Sequence, residues 1–509
     1  MSAEGHQFSS RPEGSRFSNE SKKEEPESPD SAEDGGDSGG PPSPVGFWDH
    51  RLRHVRLEAF RKWGYTTVVL MAFILAVLSI YWGAFFHLPA NTRNLVVYVV
   101  DMDGAGQYSA SVTGHAPIIG PAITELANQM LQQPPTLGYR IMSGAPFNND
   151  PIQVRQAVYN QEAWASIVIN PNATALLYNA IQTGNSSYDP LGACQLTYVE
   201  ARDETTWADY IQPLLDQFTT QATATAGQRW ASTALQLLTN ASTNDPPAAP
   251  ALLLTNLRAA PQALAPAVGF SRYNLRPFRP FAAEPAVSIG LIYLIILSFF
   301  SFSFYLPIHL KYLQPDQGHP PLRFWQLVVW RWCATLAAYL CLSLAYSLVS
   351  LAFQISFAGS ATGDGFSEVL PTNAERGNAA AYGKGGAAFL VYWMLNFCGM
   401  AALGLACENV AMLIGQPWMG MWLIFWVITN VSTAFYDIDT EPAFYRWGYA
   451  WPLHHVVQGS RTILFDTHSN IGLNFGVLFA WAAVGTALFP FMCYWMRYKT
   501  KKGLQMYWA

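Results

Sequence analysis

Hydrophobic residues gather along this chain in six long runs set in two unequal groups. Residues 65–86 form one run alone, and residues 287–306, 325–353, 387–414, 418–435 and 471–496 form five more, separated by polar or Pro- and Gly-bearing breaks. Each is about as long as a helix must be to cross the hydrocarbon core of a bilayer. A core helix of a soluble protein keeps a charged face at a period of 3.6 residues, whereas residues 291–304 carry no charge anywhere around the helix. The pattern predicts a mainly α membrane protein with six transmembrane helices in a 1+5 layout. Residues 87–285 lie between the first helix and the second as a large polar domain, and residues 286–496 hold the five-helix block.

Within 87–285 the pattern changes period. Residues 94–100, 138–142, 165–169 and 195–200 read as strands, while 118–132, 152–162, 171–181 and 207–239 read as helices, an alternation that predicts an α/β lobe. Asp101 and Asp103 offer the start of a calcium loop, but the remaining ligand positions are absent and a strand-ending turn fits better. Residues 246–285, rich in Pro and Ala and then carrying Arg272, Arg276 and Arg279 among aromatics, read as the return path to the membrane. A lipid-headgroup or substrate contact is the other reading of that segment.

The ends of the chain differ in composition. Residues 1–46 are Ser, Glu, Gly and Pro with little to bury, so a disordered cytosolic tail is expected, with Ser28-Pro29 and Ser43-Pro44 as phosphorylation candidates. Nothing apolar near Met1 suggests a secretory signal peptide. In residues 47–64, Arg51, Arg53, Arg56, Arg61 and Lys62 interleave with Trp48, Leu52, Val55 and Trp63. This segment reads either as a basic flank or as an amphipathic helix lying over anionic headgroups.

Charge then orients the chain. With the N-terminus in the cytosol, seven of eight lysines fall on the cytosolic side, all but Lys384, and residues 497–509 form a cytosolic tail. The domain 87–285 has no lysine and contains the sequons at Asn172, Asn185 and Asn240, which together predict an extracytosolic, glycosylated lobe. Its single cysteine, Cys194, excludes an internal disulfide there, so the lobe must hold through its own core. Cys194 itself is either buried and reduced, the preferred reading, or paired between chains.

Polar residues inside the apolar runs are functional candidates by default. Arg331 and Glu408, with Asn409 beside it, lie at similar depth near the cytosolic ends of their runs, so an ion pair is allowed if those helices touch. The other reading is that each snorkels to the headgroups. Asn396 and Asn430 either line a path or bond across helices. Gly472 and Gly476 offer a close helix contact. The loop 436–470 is rich in aromatics and holds a helix-like stretch from Pro452 through Arg461, predicted to plug the outer face as a re-entrant segment. His454, His455, Asp466 and His468 match no known metal-ligand spacing. No phosphate loop, nucleophile elbow or metalloprotease helix occurs, and Gly383-Lys384-Gly385 lacks the spacing and hydroxyl of an ATP site. Neither a catalytic role nor a cofactor is expected.

The 1+5 layout, the strand Val97-Tyr98-Val99-Val100-Asp101 and the segment Trp164-Ala165-Ser166-Ile167-Val168-Ile169-Asn170-Pro171 resemble the fungal nitrosoguanidine-resistance membrane proteins, the DUF3533 family. More distantly the outline is similar to the phage-infection proteins and the permease half of ABC-2 type exporters, whose last outer loop carries a Pro and a short helix with an Arg; Pro452 and Arg461 look like that feature. The resemblance implies a plasma-membrane export permease tied to resistance to toxic compounds. Its expected partners are membrane lipids, small hydrophobic compounds and, by analogy, a second copy of the chain, but not nucleic acid. Without an ATPase domain, pumping would need a partner subunit or an ion gradient. Arg331 and Glu408 are the candidates for a cytosolic gate. A different class of function, a non-transporting membrane organiser that alters lipid distribution or scaffolds partners, is suggested by the basic segment and the polar-poor runs.

Overall fold

The structure, a computed structural model, describes residues 44–502 except residues 87, 245–247, 314–317, 319, 356, 358–385 and 416–417. The expectations for residues 1–43, for 383–385 with Lys384, and for 503–509 lie outside the described residues. Two compact units divide after Thr66. The turn His50–Leu52 leads into α1, Arg53–Ala84, a helix that begins in the first unit and continues into the second. One helix therefore carries both the basic segment and the first apolar run, rather than a separate helix in the headgroup layer. Only Gly64 stands between them, and a glycine costs a helix about 1 kcal/mol, too little to break it.

After α1 the second unit continues with the α/β lobe. Strand β1 (Val96–Asp101) is followed by α2 (Ile119–Met130), β2 (Gly138–Ser143), α3 (Pro151–Tyr159), β3 (Ala165–Ile169), α4 (Ala173–Thr183) and β4 (Cys194–Tyr198). The long α5 (Gln212–Asn244), α6 (Ala248–Ala259) and β5 (Phe270–Asn274) complete it. The sheet order is β2-β1-β3-β4-β5, parallel except where β4 meets β3, with Val99 opposite Ile141 on one side and Ile167 on the other. Both faces are covered, which is why all five residues of β3, Ser166 included, are buried rather than alternately exposed. Val97 and Val99 face the cluster that includes α2 and α5, whereas Tyr98 and Val100 face α3. Cys194 is buried and free.

Two lobe elements depart from the expected return path. Residues 246–285 include a helix, α6, and an edge strand, β5, which pairs in parallel with β4. The strand takes no hydrophobic alternation from its own sequence because it lies at the sheet edge, half exposed. The Asp101–Asp103 turn is a helix clamp. The Asp103 carboxylate accepts from Gly120 N at 3.1 Å on α2 and from Thr174 N at 3.0 Å on α4, while Asp101 Oδ1 accepts from Asp103 N at 3.0 Å. A carboxylate at two helix N-termini satisfies orphan amides and opposes both dipoles.

The apolar block contains α7 (Ile292–Leu310), α8 (Phe324–Ala352), α9 (Gly386–Ile414), α10 (Met419–Val431), α11 (Pro452–Phe465) and α12 (Ile471–Lys501). Among the described residues five helices, those of α1, α7, α8, α9 and α12, are long and apolar enough to cross a membrane. The run 418–435 is helical for only 13 residues in α10, about 20 Å at 1.5 Å per residue against a core of about 30 Å. Helix α9 is central: 72% of its most apolar window is buried, against 28% for α8 and 17% for α12. Glycines set how closely its neighbours approach. A Cβ at Gly404 would lie 2.5 Å from the Tyr339 hydroxyl of α8, and one at Gly485 of α12 would lie 2.8 Å from Leu405 Cβ.

Candidate functional site

Arg331 on α8 and Glu408 on α9 are brought together and buried. Arg331 Nη2 donates to Glu408 Oε1 at 2.7 Å, and both side chains are 3% exposed, so neither snorkels out. Thr335, one turn along α8, donates to Glu408 Oε2 at 3.3 Å. Arg331 Nη1 points at Met412 Sδ and Cys493 Sγ at 3.5 and 3.6 Å, and the guanidinium lies 5.4 Å from the Phe489 ring centre. The pair thus ties α8, α9 and α12 at one level. Asn409 Nδ2 adds a bond to Gly485 O at 2.8 Å.

The other two path candidates lie elsewhere. Asn396, twelve residues and about 18 Å up α9 from Glu408, donates to Ser347 Oγ at 3.0 Å and leaves its Oδ1 without a partner. Asn430 caps a helix: its Oδ1 accepts from Leu453 N at 3.2 Å, an amide in the first turn of α11 that has no partner within the helix. Pro452 occupies the first position of α11, where a missing N–H costs nothing.

Helix α11 joins the lobe to the long helices. Almost every residue of it is buried. Arg461, 1% exposed, donates from Nη1 to Asp203 Oδ2 and from Nη2 to Glu204 Oε2, each at 3.0 Å. Asp203 Oδ1 also accepts from Thr206 N at 2.8 Å, so one carboxylate caps a lobe helix and holds the guanidinium. Five residues on, just past the C-terminus of α11, Asp466 adopts a left-handed conformation (φ 55°) and accepts from Arg276 Nη2 at 2.6 Å. Its carbonyl accepts from Tyr159 of α3 at 3.1 Å and from Arg276 Nε at 3.0 Å. The sequence marked Arg461; its acidic partners, more than 250 positions earlier, carried no local signal.

Between lobe and helices lies a polar chamber of ≈ 250 Å³. Arg202, Asp437, Asp439, His454, His455 and His468 line it, together with Asn474 near the start of α12. Arg202 donates to Ala163 O at 3.2 Å and stacks 3.7 Å from the Trp164 ring. Burial pushes Asp437 up to about 6 although Arg202 opposes it, and burial with the neighbouring His455 brings His454 down to about 4. Glu441, four residues beyond Asp437, is 4% exposed with neither carboxylate oxygen hydrogen-bonded, and burial, reinforced by the charge of Asp437, raises it to about 9. Among the described residues no three His, Cys, Asp or Glu side chains group as a metal site. Asn185 is an exposed loop residue whose Oδ1 accepts from Ser187 N, and Asn172 is half-buried at the start of α4. Asn240 lies within α5, its side chain outside the described residues.

These features define a class: a multi-pass membrane protein whose α/β lobe is ion-paired to a buried helix of the membrane block. Residues 66–487 match the family described as "Protein of unknown function (DUF3533)", and the chain belongs to that family. It is similar to an uncharacterized endoplasmic reticulum membrane protein of Saccharomyces cerevisiae, 26% identical over 469 residues that cover 89% of this chain and 83% of the yeast protein. No solved structure matches the chain.

Two stability measurements follow from this geometry. Arg331→Leu strands a buried carboxylate and is expected to cost about 3–5 kcal/mol, while the double change with Glu408→Leu recovers most of it; thermal unfolding of the detergent-purified protein reads both. A double variant as unstable as the single one would refute the pairing. Glu441→Gln tests the buried acid. A carboxyl with a raised folded pKa loses stability as pH rises from its unfolded value of 4.5 to about 9. The variant should therefore match the parent at pH 4 and become progressively more stable than it between pH 5 and 9, scanned by melting temperature.

Proposed function

We propose that this protein is an export permease for small hydrophobic toxic compounds, of the kind nitrosoguanidine resistance implies, with its lobe on the extracytosolic side and both termini in the cytosol. The observation that carries the reading is the placement of two polar features on one helix. The chamber reaches Asn474 and the ion pair reaches Cys493, both on α12 and about 28 Å apart along it at 1.5 Å per residue. A permeation path needs a closure near each face, and the chamber and the Arg331–Glu408 pair are the two candidates. Arg461 and Arg276 couple the lobe to α11, so a compound bound at the lobe has a rigid route to the helices. The likeness of Pro452 and Arg461 to the outer loop of ABC-2 permeases supports the same reading, and by the same analogy a second copy of the chain is proposed to complete the path. The chain is proposed to act as a carrier without catalysis. The plasma membrane is the proposed compartment, and the endoplasmic reticulum in the yeast relative's name is the alternative.

A second reading, a membrane organiser that changes lipid distribution, draws on the first unit. Phe47, Trp48, Val55, Leu57, Phe60 and Trp63 are all exposed there beside Arg51, Arg53, Arg56 and Arg61, a composition suited to anionic headgroups.

One experiment separates these readings and a second tests the orientation. Proteoliposomes holding the purified chain and a labelled hydrophobic toxicant should release it faster than protein-free vesicles under a proton gradient, and Glu408→Gln should slow that release at least tenfold. Absence of release from folded, correctly oriented protein would remove the permease reading. In cells, Asn185 should carry a glycan whose enzymatic removal shifts gel mobility, with no shift in Asn185→Gln. Cleavage of the lobe by protease added to sealed, cytosol-side-out microsomes would reverse the proposed orientation.

A further inference from the structure

Beyond the Arg331–Glu408 pair, the ends of α7, α8 and α12 enclose a second cavity of ≈ 250 Å³. Its walls are largely apolar. On α8 the lining runs from Phe324 through Val328 to Arg331, a depth of about 10 Å at 1.5 Å per residue. Arg331 is thus the floor, and Phe324, with Leu313 from the residues after α7, stands at the mouth.

Floor and mouth differ in charge. Glu408 neutralises Arg331, and His309, also lining the floor, accepts at Nδ1 from Trp330 Nε1 at 3.1 Å, which requires an unprotonated ring nitrogen. The inner end therefore has no net charge. Arg497 and Lys501, one turn apart on α12, line the cavity and are exposed, and among the described residues neither has a carboxylate within salt-bridge distance. The Arg497 guanidinium is held 5.1 Å from the Phe324 ring centre, at the entrance. A neutral apolar interior below two cations that no described carboxylate neutralises complements a molecule with an apolar tail and an anionic head.

We propose that this cavity binds an anionic membrane lipid, with one acyl chain reaching toward Arg331 and the phosphate held by Arg497 and Lys501. The orientation follows from the charges: a headgroup pushed inward would lose hydration without a free cation to meet it. The volume suits a stretch of one chain and not a whole lipid. The site is independent of whether the chain transports anything, and it assigns a lipid to the helix ends that the Arg331–Glu408 pair ties together.

The test is equilibrium binding of radiolabelled 1-oleoyl-lysophosphatidate to the full-length protein in an uncharged detergent, compared with lysophosphatidylcholine of the same chain. Lysophosphatidate should bind at least about tenfold more tightly, since each basic residue near a headgroup contributes several-fold. Arg497→Gln with Lys501→Gln, both exposed positions, should bring it down to the choline lipid's affinity. Leu313→Trp, at the exposed lip, should weaken both lipids by obstructing the tail. Elution volume and helical circular dichroism identify properly folded variants. Equal binding of the two lipids, a preference that survives the double charge removal, or indifference to Leu313→Trp would each overturn the proposal. Displacement of lysophosphatidate by millimolar inorganic phosphate would assign the cations to the free ion and overturn the lipid assignment.

Discussion

The structure depends on how one buried guanidinium is satisfied. Arg461 lies inside α11, 1% exposed, where an uncompensated charge would cost many kcal/mol. Asp203 and Glu204 meet it from the lobe, so the least costly place for that charge is also the joint between lobe and membrane block. A buried pair of this kind adds little net stability over an apolar substitute, but removing one partner strands the other. It therefore specifies registry. Arg276 and Tyr159 close on Asp466, five residues beyond Arg461, so two adjoining polar contacts hold the C-terminal end of α11 to the lobe.

That fixed joint gives the long helices their division of labour. Helix α9 is surrounded, and its small residues let α8, α11 and α12 approach closely, so the block packs by van der Waals contact where lipid offers no hydrophobic drive. The polar groups it contains are spent at two levels. Near the lobe they form a mixed-charge chamber; at the opposite end they form one neutralised pair with three helices around it. The short α10 and the buried α11 are linked by a side-chain cap. Asn430 shows how: a side chain in α10 supplies the cap that the first turn of α11 lacks.

Helix length and apolarity were legible because they are local. Residues 325–353, 387–414 and 471–496 match their helices within a few positions, and the strand 165–169 is found at those positions. Depth left the Arg331–Glu408 pair as one of two open readings, since each charge could also have snorkelled to the headgroups, and only the contact of α8 with α9 brings the two together. The edge strand β5 was not, because an edge strand half exposed on a loop-like composition has no periodic signature. Nor was the shortness of α10: the apolar run continues to Phe435, but its last residues turn away as Ser432 and Thr433 bond back to Thr429 O. Glu441 was invisible, since nothing in a surface-like loop sequence announces that both carboxylate oxygens end up buried and unpartnered.

By itself, then, the order of apolar and polar residues determined that this is a membrane protein with one helix before a large lobe and an apolar helical block after it, because burial in lipid demands about twenty apolar residues in succession wherever it occurs. It also determined the α/β character of the lobe through the two backbone periods. Tertiary structure alone decided which charges meet. Arg461 and Asp203 are 258 positions apart and Arg276 and Asp466 are 190 apart, and no local pattern encodes a pairing whose partners become neighbours only after the lobe has folded and α11 has been buried among the long helices.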